Sequence, residues 1–262
     1  SRYGKVFTLT DGKEGVKKIL NELVSYGLNS VNVTVGQDFG TDEEKIVSGS
    51  PEKLLSKEFG NLCVALIENP SARDVCPLSI QDGEFIRGDA PMTKSEVRTL
   101  SVAKLKLEKT SVVYDIGAGT GSVSAEMALT APEGKIFAIE KDETASALIE
   151  LNKKKFRAPT ITVIRGTAPE ALGELPAPTH AFIGGTSGNL KEIVKILLEK
   201  NPEIRMVITS VTLETLAETA SCIKESEITE EETVCINVSK ARNVGKYHLM
   251  TGQNPVYITV CR

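Results

Sequence analysis

Hydrophobic positions along the chain follow two alternating periods. A β-branched run at residues 5–10 gives way to a helical spacing over 15–26, where Val16, Ile19, Leu20 and Leu23 share one face, and then to a second strand pattern at 30–35. These predict an opening β-α-β unit. A polar turn at 40–44, a strand at 45–48, a helix at 51–57 with Pro51 in its first turn, and an apolar strand at 62–68 complete the first region. Residues 69–88 hold Pro70, Pro77 and Gly83 and no sustained period, which predicts a domain at 1–70, a linker at 71–88 and a second domain at 89–262.

In the second region strand patterns at 111–115, 135–140, 160–165, 179–183 and 205–209 alternate with helical stretches. Such alternation predicts a parallel sheet covered on both faces. The order changes after a helix at 213–224, because the strands at 232–239 and 256–260 follow without a helix between them and should pair antiparallel. The expected fold class is therefore α/β: a smaller α/β subdomain, then a Rossmann-like sheet of parallel strands with a C-terminal antiparallel hairpin. That ending resembles the class I methyltransferase fold, whereas a plain dinucleotide-binding fold would continue with a parallel strand.

Composition narrows the function. The 262 residues are 40% hydrophobic and 25% charged with a net charge of −4, which suits a globular protein and weighs against a general nucleic-acid or anionic-membrane binder. No apolar run approaches the roughly 20 residues of a membrane span, and no signal-peptide pattern is seen, so a cytoplasmic location is the default expectation. The five cysteines, Cys63, Cys76, Cys222, Cys235 and Cys261, are odd in number and widely spaced, and they read as reduced structural thiols. With His180 and His248 as the two histidines, no histidine-rich metal site is expected. The chain starts at Ser1 without a methionine, as though cut from something longer.

Candidate chemistry centres on Asp115-Ile-Gly-Ala-Gly-Thr-Gly121, entered by an apolar run and followed by Glu140 at the end of a second one. Gly117, Gly119 and Gly121 let backbone N–H groups approach a ligand and open into a helix near Ser122, the arrangement of a nucleotide-cofactor site. A turn serving only strand-helix packing is the plainer alternative. The third glycine of a dinucleotide fingerprint would fall at Ser122, so the spacing here is G-x-G-x-G. It resembles motif I of S-adenosyl-L-methionine-dependent methyltransferases. That resemblance implies a cofactor held along Gly117, Ala118, Gly119, Thr120 and Gly121, with Asp115 near its amino-acid end and Glu140 on the ribose hydroxyls.

Ligands of open α/β sheets bind beyond the carboxyl ends of the strands. The third strand ends in Arg165-Gly-Thr-Ala168, where Gly166, Thr167 and Ala168 would flank an adenine, although Thr167 reads equally well as a helix cap. The fourth ends in Phe182-Ile-Gly-Gly-Thr-Ser-Gly188, with Gly184 and Gly185 where methyl group and acceptor would meet. Ahead of the first strand, Thr93 and Glu96 have the form of a capping box, and Lys94 and Arg98 would present two cations to an anionic acceptor unless both are plain surface charge. A predicted loop at 239–248 adds Lys240, Arg242, Lys246 and His248, the last a weak candidate for proton donor. Together these cations favour a polycarboxylate or phosphate substrate. Asn254-Pro-Val-Tyr257 imitates the box of amino-methyltransferases but enters the last strand, so it reads as structural, as does His180.

Taken together, Pro91-Met-Thr-Lys-Ser-Glu-Val-Arg98, Tyr114-Asp-Ile-Gly-Ala-Gly-Thr-Gly-Ser-Val-Ser124, Gly166-Thr-Ala-Pro-Glu170, Phe182-Ile-Gly-Gly185, Val211-Thr-Leu-Glu-Thr215 and Gly252-Gln-Asn-Pro-Val256 resemble, in order, the decarboxylating precorrin methyltransferases of cobalamin biosynthesis that act at C15. The resemblance implies S-adenosyl-L-methionine as cofactor, Thr93 among its contacts, a precorrin or cobalt-precorrin as partner, decarboxylation of the C12 acetate and a homotetramer. Thr167 departs from the acidic or small residue expected there, which weakens the adenine assignment. Lys5-Val-Phe-Thr-Leu-Thr-Asp11, Val35-Gly-Gln-Asp-Phe-Gly40 and Glu43-Glu-Lys-Ile46 are similar to the second half of a tetrapyrrole methylase acting at C5. The expectation is a piece of a bifunctional protein with C15 chemistry intact and C5 chemistry lost. An RNA or protein methyltransferase, a non-catalytic tetrapyrrole-binding module and, least of all, a dehydrogenase are the competing readings.

Overall fold

A computed structural model describes residues 3–10, 12–72 and 79–262. The Asp11 end of the first C5-methylase-like motif, the Cys76 thiol and the linker residue Pro77 lie outside the described residues. The chain divides into two compact units, Ser1–Cys76 and Pro77–Arg262.

The first unit contains β1 (Lys5–Leu9), α1 (Gly12–Ser25), β2 (Asn32–Gln37), β3 (Lys45–Gly49), α2 (Pro51–Leu55) and β4 (Cys63–Glu68). Among the described residues its strands run in the order β1-β4-β2-β3, every neighbour antiparallel. The expected β-α-β unit is therefore split, because β4 inserts between β1 and β2. Burial explains the insertion: Cys63 and Ala65 of β4 are almost fully enclosed with Val33 and Val35 of β2 beneath Val16 and Leu20 of α1. Phe7 and Leu9 on the edge strand β1 stay exposed.

The second unit contains α3 (Ser95–Leu105), β5 (Val112–Ile116), α4 (Ser122–Thr130), β6 (Lys135–Glu140), α5 (Glu143–Lys155), β7 (Ile161–Arg165), β8 (His180–Ile183), α6 (Leu190–Lys200), β9 (Arg205–Ser210), α7 (Leu213–Glu225), β10 (Glu230–Ile236), β11 (Ser239–Val244), β12 (Tyr247–Gly252) and β13 (Val256–Cys261). The main sheet has the order β10-β13-β9-β8-β5-β6-β7. Strands β5 to β9 pair in parallel, and β13 lies antiparallel to both β9 and β10, as the helix-free end of the pattern predicts. Alternate strand residues serve the two faces. Val113, Phe182, Val207 and Ile258 pack with Val97, Val123, Met127 and Ile149 of α3, α4 and α5, while Tyr114, Ile116, Ala181 and Met206 pack with Ile193, Val194 and Cys222 of α6 and α7. Strands enclosed on both faces read as near-continuous apolar runs, which is why the sequence shows them clearly.

Three expectations fail here. Residues 80–88, predicted as linker, pack on the second unit: Ile80 and Phe85 are buried with Ala125 of α4, and a short 3-10 turn, Asp82–Glu84, joins them. The predicted loop at 239–248 is a hairpin, with Val244 opposite Tyr247 and Gly245 at φ +61° in a two-residue turn that positive φ favours. The Thr93/Glu96 capping box does not form, because Lys94 is the N-cap of α3 and contributes no side-chain cap. Glu96 is drawn instead to Lys240, 2.8 Å away. Cys63, Cys222 and Cys261 are buried free thiols, and Cys235 is free and exposed. No helix among the described residues is long and apolar enough to cross a membrane.

Candidate active site

A cavity of about 1100 Å³ opens beyond the carboxyl ends of β5, β6, β7, β8 and β9. It lies at or above the upper end of ordinary ligand pockets, roughly 1000 Å³. Its floor is the glycine turn between β5 and α4. A Cβ on Gly117, which has φ +76°, would stand 2.9 Å from the Gly185 backbone, and one on Gly119, at φ +55°, would stand 2.7 Å from the Pro91 carbonyl oxygen. These two glycines thus let the turn abut the β8 turn on one side and the segment before α3 on the other. Gly121, at φ +74°, caps α4.

Two carboxylates flank this turn and differ in environment. Glu140, at the end of β6, accepts the Gly119 N–H on Oε2 at 2.8 Å and the Asp142 N–H on Oε1 at 2.9 Å. Backbone therefore fixes it, and each oxygen keeps a lone pair for a further donor. Asp115, at the end of β5, is fully buried and accepts the Ser124 hydroxyl on Oδ2, while its Oδ1 has no partner. Burial pushes its carboxyl up to about 7, with the Ser124 hydrogen bond opposing and the Glu140 charge adding to the rise. An unpaired buried carboxylate oxygen is costly, roughly 1 to 3 kcal/mol or more, so the site is complementary to a ligand that brings positive charge or an N–H donor to Oδ1. Both carboxylates line the cavity.

Residues 84–262 match the family model for the precorrin methyltransferase domain. The chain belongs to this family. A probable cobalt-precorrin-6B C(15)-methyltransferase (decarboxylating) of Pyrobaculum calidifontis is 40% identical over 182 residues, covering 68% of this chain and 93% of that protein. The cobalt-precorrin-6B C(15)-methyltransferase (decarboxylating) of Salmonella typhimurium is 32% identical over 186 residues, covering 70% of this chain and 95% of its own. Among solved structures, the precorrin-6y C5,15-methyltransferase from Geobacter metallireducens GS-15 superposes with a TM-score of 0.66 at 37% identity, covering 71% of this chain and 96% of that one. The chain is a methyltransferase with the Rossmann-like sheet of that class.

Of the residues expected at the precorrin methyltransferase site, Thr93, Lys94, Asp115, Gly117, Ala118, Gly119, Glu140, Gly166, Thr167, Ala168, Gly184 and Gly185 all line the cavity. Thr120 and Gly121 lie behind it: Thr120 is fully buried, and Gly121 turns the chain into α4. Arg98 is the largest correction. It is fully buried, and its Nε donates to Glu126 Oε1 at 2.7 Å, its Nη1 to the Thr93 carbonyl at 2.6 Å and to Asp82 at 3.3 Å, and its Nη2 to the Ile80 carbonyl. Its guanidinium also lies 4.7 Å from the centre of the Phe85 ring. It ties the segment 80–94 to α4 and presents no charge to a substrate. Burial pushes the Glu126 carboxyl up, and Arg98 opposes that rise.

Lys240 is spent on Glu96 and Asp82, at 2.8 and 3.9 Å. Arg242, Lys246 and His248 sit on the exposed β11–β12 hairpin and do not line the cavity, because the turn at Gly245 carries them out along a two-stranded ribbon. His180 is half-buried at the amino end of β8, where its Nδ1 and the Thr179 hydroxyl share a hydrogen bond at 2.8 Å. Burial, then Arg205, holds it below the ordinary imidazole value. No metal-binding group of three or more His, Cys, Asp or Glu occurs among the described residues.

Asn254, read from the sequence as structural, lines the cavity together with Gln253 and Val238. A signal for it exists. Because β13 runs against the parallel strands, the residues just before it stand at the same end of the sheet as the residues just after β5 to β9. Lys141, beside Glu140, also lines the cavity and donates to Ser187 Oγ at 2.9 Å.

Proposed function

We propose that this methyltransferase uses S-adenosyl-L-methionine to methylate C15 of a precorrin or cobalt-precorrin, with loss of the C12 acetate as carbon dioxide, in cobalamin biosynthesis. The observation that carries the cofactor assignment is the fully buried Asp115, its Oδ1 unpaired, lining the same cavity as the backbone-anchored Glu140. The residues fit the cofactor: Asp115 takes its positively charged amino-acid end, Glu140 takes the ribose hydroxyls on its free lone pairs, and the Gly166-Thr-Ala168 turn flanks the adenine. S-adenosyl-L-methionine supplies a sulfonium methyl group to a nucleophilic carbon.

The chain's own contribution is placement. Gly117 against Gly185 keeps the cavity floor free of side chains where cofactor and macrocycle meet. Phe182, Val97 and Val123 exclude water around that point, and Thr93 and Lys94 bound it from the α3 side. Aligning two reactants in this way is worth roughly 7 to 11 kcal/mol of barrier, so no strong acid or base is required of the protein. The wall's cations are Lys94 and Lys141 among the described residues, and they take peripheral carboxylates of the macrocycle in place of the buried Arg98 and the paired Lys240.

The proposal extends to residues 1–70 as the second half of a C5 tetrapyrrole methylase, joined to the C15 enzyme and inactive by itself, and to a cytoplasmic homotetramer. Mass spectrometry of precorrin-6B, or its cobalt form, incubated anaerobically with the protein and S-adenosyl-L-methionine tests the reaction. One methyl gained with carbon dioxide lost is the expected product. A second methyl would overturn the reading of the first unit, and unchanged substrate would overturn the reaction itself. Light scattering tests the assembly.

A further inference from the structure

Where β9 meets β13, the cavity is walled by neutral side chains: Thr209 and Val211 at the end of β9, Val238 after β10, and Gln253, Asn254 and Val256 around the start of β13. The Gln253 N–H donates to the Val238 carbonyl at 2.8 Å, which pins the backbone beneath the two carboxamides. Gln253 is half-buried and Asn254 exposed, so both carboxamides are accessible to a ligand entering the cavity. No lysine or arginine belongs to this wall. Lys141 is bonded to Ser187 beside Glu140, Lys94 stands at the start of α3, and Arg98 and Lys240 are occupied by Glu126, Asp82 and Glu96.

We infer that Gln253 and Asn254 bind the acetate carboxylate that is lost as carbon dioxide, holding it by neutral N–H donors where the rest of the macrocycle's carboxylates meet cations. The inference rests on the proposed reaction. A carboxylate must surrender its charge as the C–C bond breaks, so a cation beside it stabilises the starting state more than the transition state and slows the loss. Carboxamides orient the group by hydrogen bonds without adding that full charge attraction.

The balance of the step is as follows. C15 attacks the sulfonium methyl, the old C–S pair stays on sulfur, and the macrocycle is left with a positive charge. Cleavage between the acetate methylene and its carboxyl returns an electron pair to the macrocycle, cancels that charge and frees carbon dioxide. The exocyclic methylene then takes a proton from water and the macrocycle gives one back, which leaves a methyl group at C12.

The test follows methyl transfer and carbon dioxide release separately in wild type, Asn254→Ala, Asn254→Ser, Gln253→Ala and Asn254→Lys, with S-adenosylhomocysteine affinity measured alongside. Loss of a hydrogen bond to a charged group should lower carbon dioxide release relative to methyl transfer by about tenfold in the alanine and serine variants, with methylated product still carrying its acetate. Asn254→Lys should lower KM for the macrocycle and slow carbon dioxide release together. S-adenosylhomocysteine affinity should stay at the wild-type value in all four. An unchanged ratio of carbon dioxide to methyl in every variant, or faster release in Asn254→Lys, would overturn the inference while leaving the proposed reaction in place. A wild-type protein that methylates no precorrin would instead remove the reaction on which both rest.

Discussion

Along β5 and β6 the cavity wall is backbone first, with glycines at positive φ, a carboxylate gripped by two N–H groups and a second, fully buried carboxylate beside the turn. The opposite wall is side chain first, gathered from the segment before α3, the end of β9 and the start of β13. The first wall comes from one continuous run of sequence and needs little beyond the sheet to hold its shape. The second comes from segments scattered along the chain between Gly88 and Val256 and needs separate fastenings. Under the proposed function, a common cofactor meets the wall that stays the same and a particular acceptor meets the one that side chains can alter, so the division of construction would follow the division of chemistry.

Removing a fastening is the strongest way to break this comparison. Arg98→Ala leaves Glu126 buried without its partner and frees the segment 80–94, so it should cost about 3 to 5 kcal/mol of stability, read by urea denaturation. Arg98→Lys should recover little of that loss, because one ammonium cannot reach Glu126, Asp82, Thr93 and Ile80 together. On the other wall, Glu140→Ala removes both the anchor of Gly119 and the proposed ribose contact. S-adenosylhomocysteine affinity measured by calorimetry should fall by about a hundredfold, with the fold retained.

Asp115 sharpens the comparison through pH. Its folded value of about 7 lies above the ordinary 3.8, so its contribution to stability is fully present below about pH 4 and is lost as pH rises through 7. Asp115→Asn should therefore raise the melting temperature at pH 8 while weakening cofactor binding. A variant that is less stable at pH 8 and still binds would remove Asp115 from its proposed role. The smallest effect belongs to the hairpin: charge reversal at Arg242 or Lys246 should change macrocycle affinity by less than about 0.5 kcal/mol, since neither lines the cavity.

Legibility in the sequence divides along the same line. That Asp115, Gly117, Gly119 and Glu140 come together at one cavity was readable because a strand, a turn and a helix start lie in one stretch whose local geometry dictates the turn. Arg98 was misread because a four-residue spacing from Lys94 suggested one helix face, whereas α3 begins at Ser95 and Lys94 stands at its cap. The carboxylate that claims Arg98 is Glu126 on α4, and nothing local announces a partner on another helix. Asn254 was set aside because its motif was judged by order along the chain. What decides its position is the direction of β13 in the sheet.

The insertion of β13 between β9 and β10 also sets an order of assembly. As the polypeptide emerges from a ribosome, β9 and β10 are made before their common neighbour, and the edge of β9 stays unpaired while synthesis continues at roughly 5 to 20 residues per second. An unpaired edge is a template for mistaken pairing. Hairpins close in about 1 to 10 μs, so β11 and β12 fold back as soon as they are free and deliver the next residues beside Val238. The ribbon thus acts as a folding clasp, shortening the search by which the last strand finds its slot and completes the cavity wall.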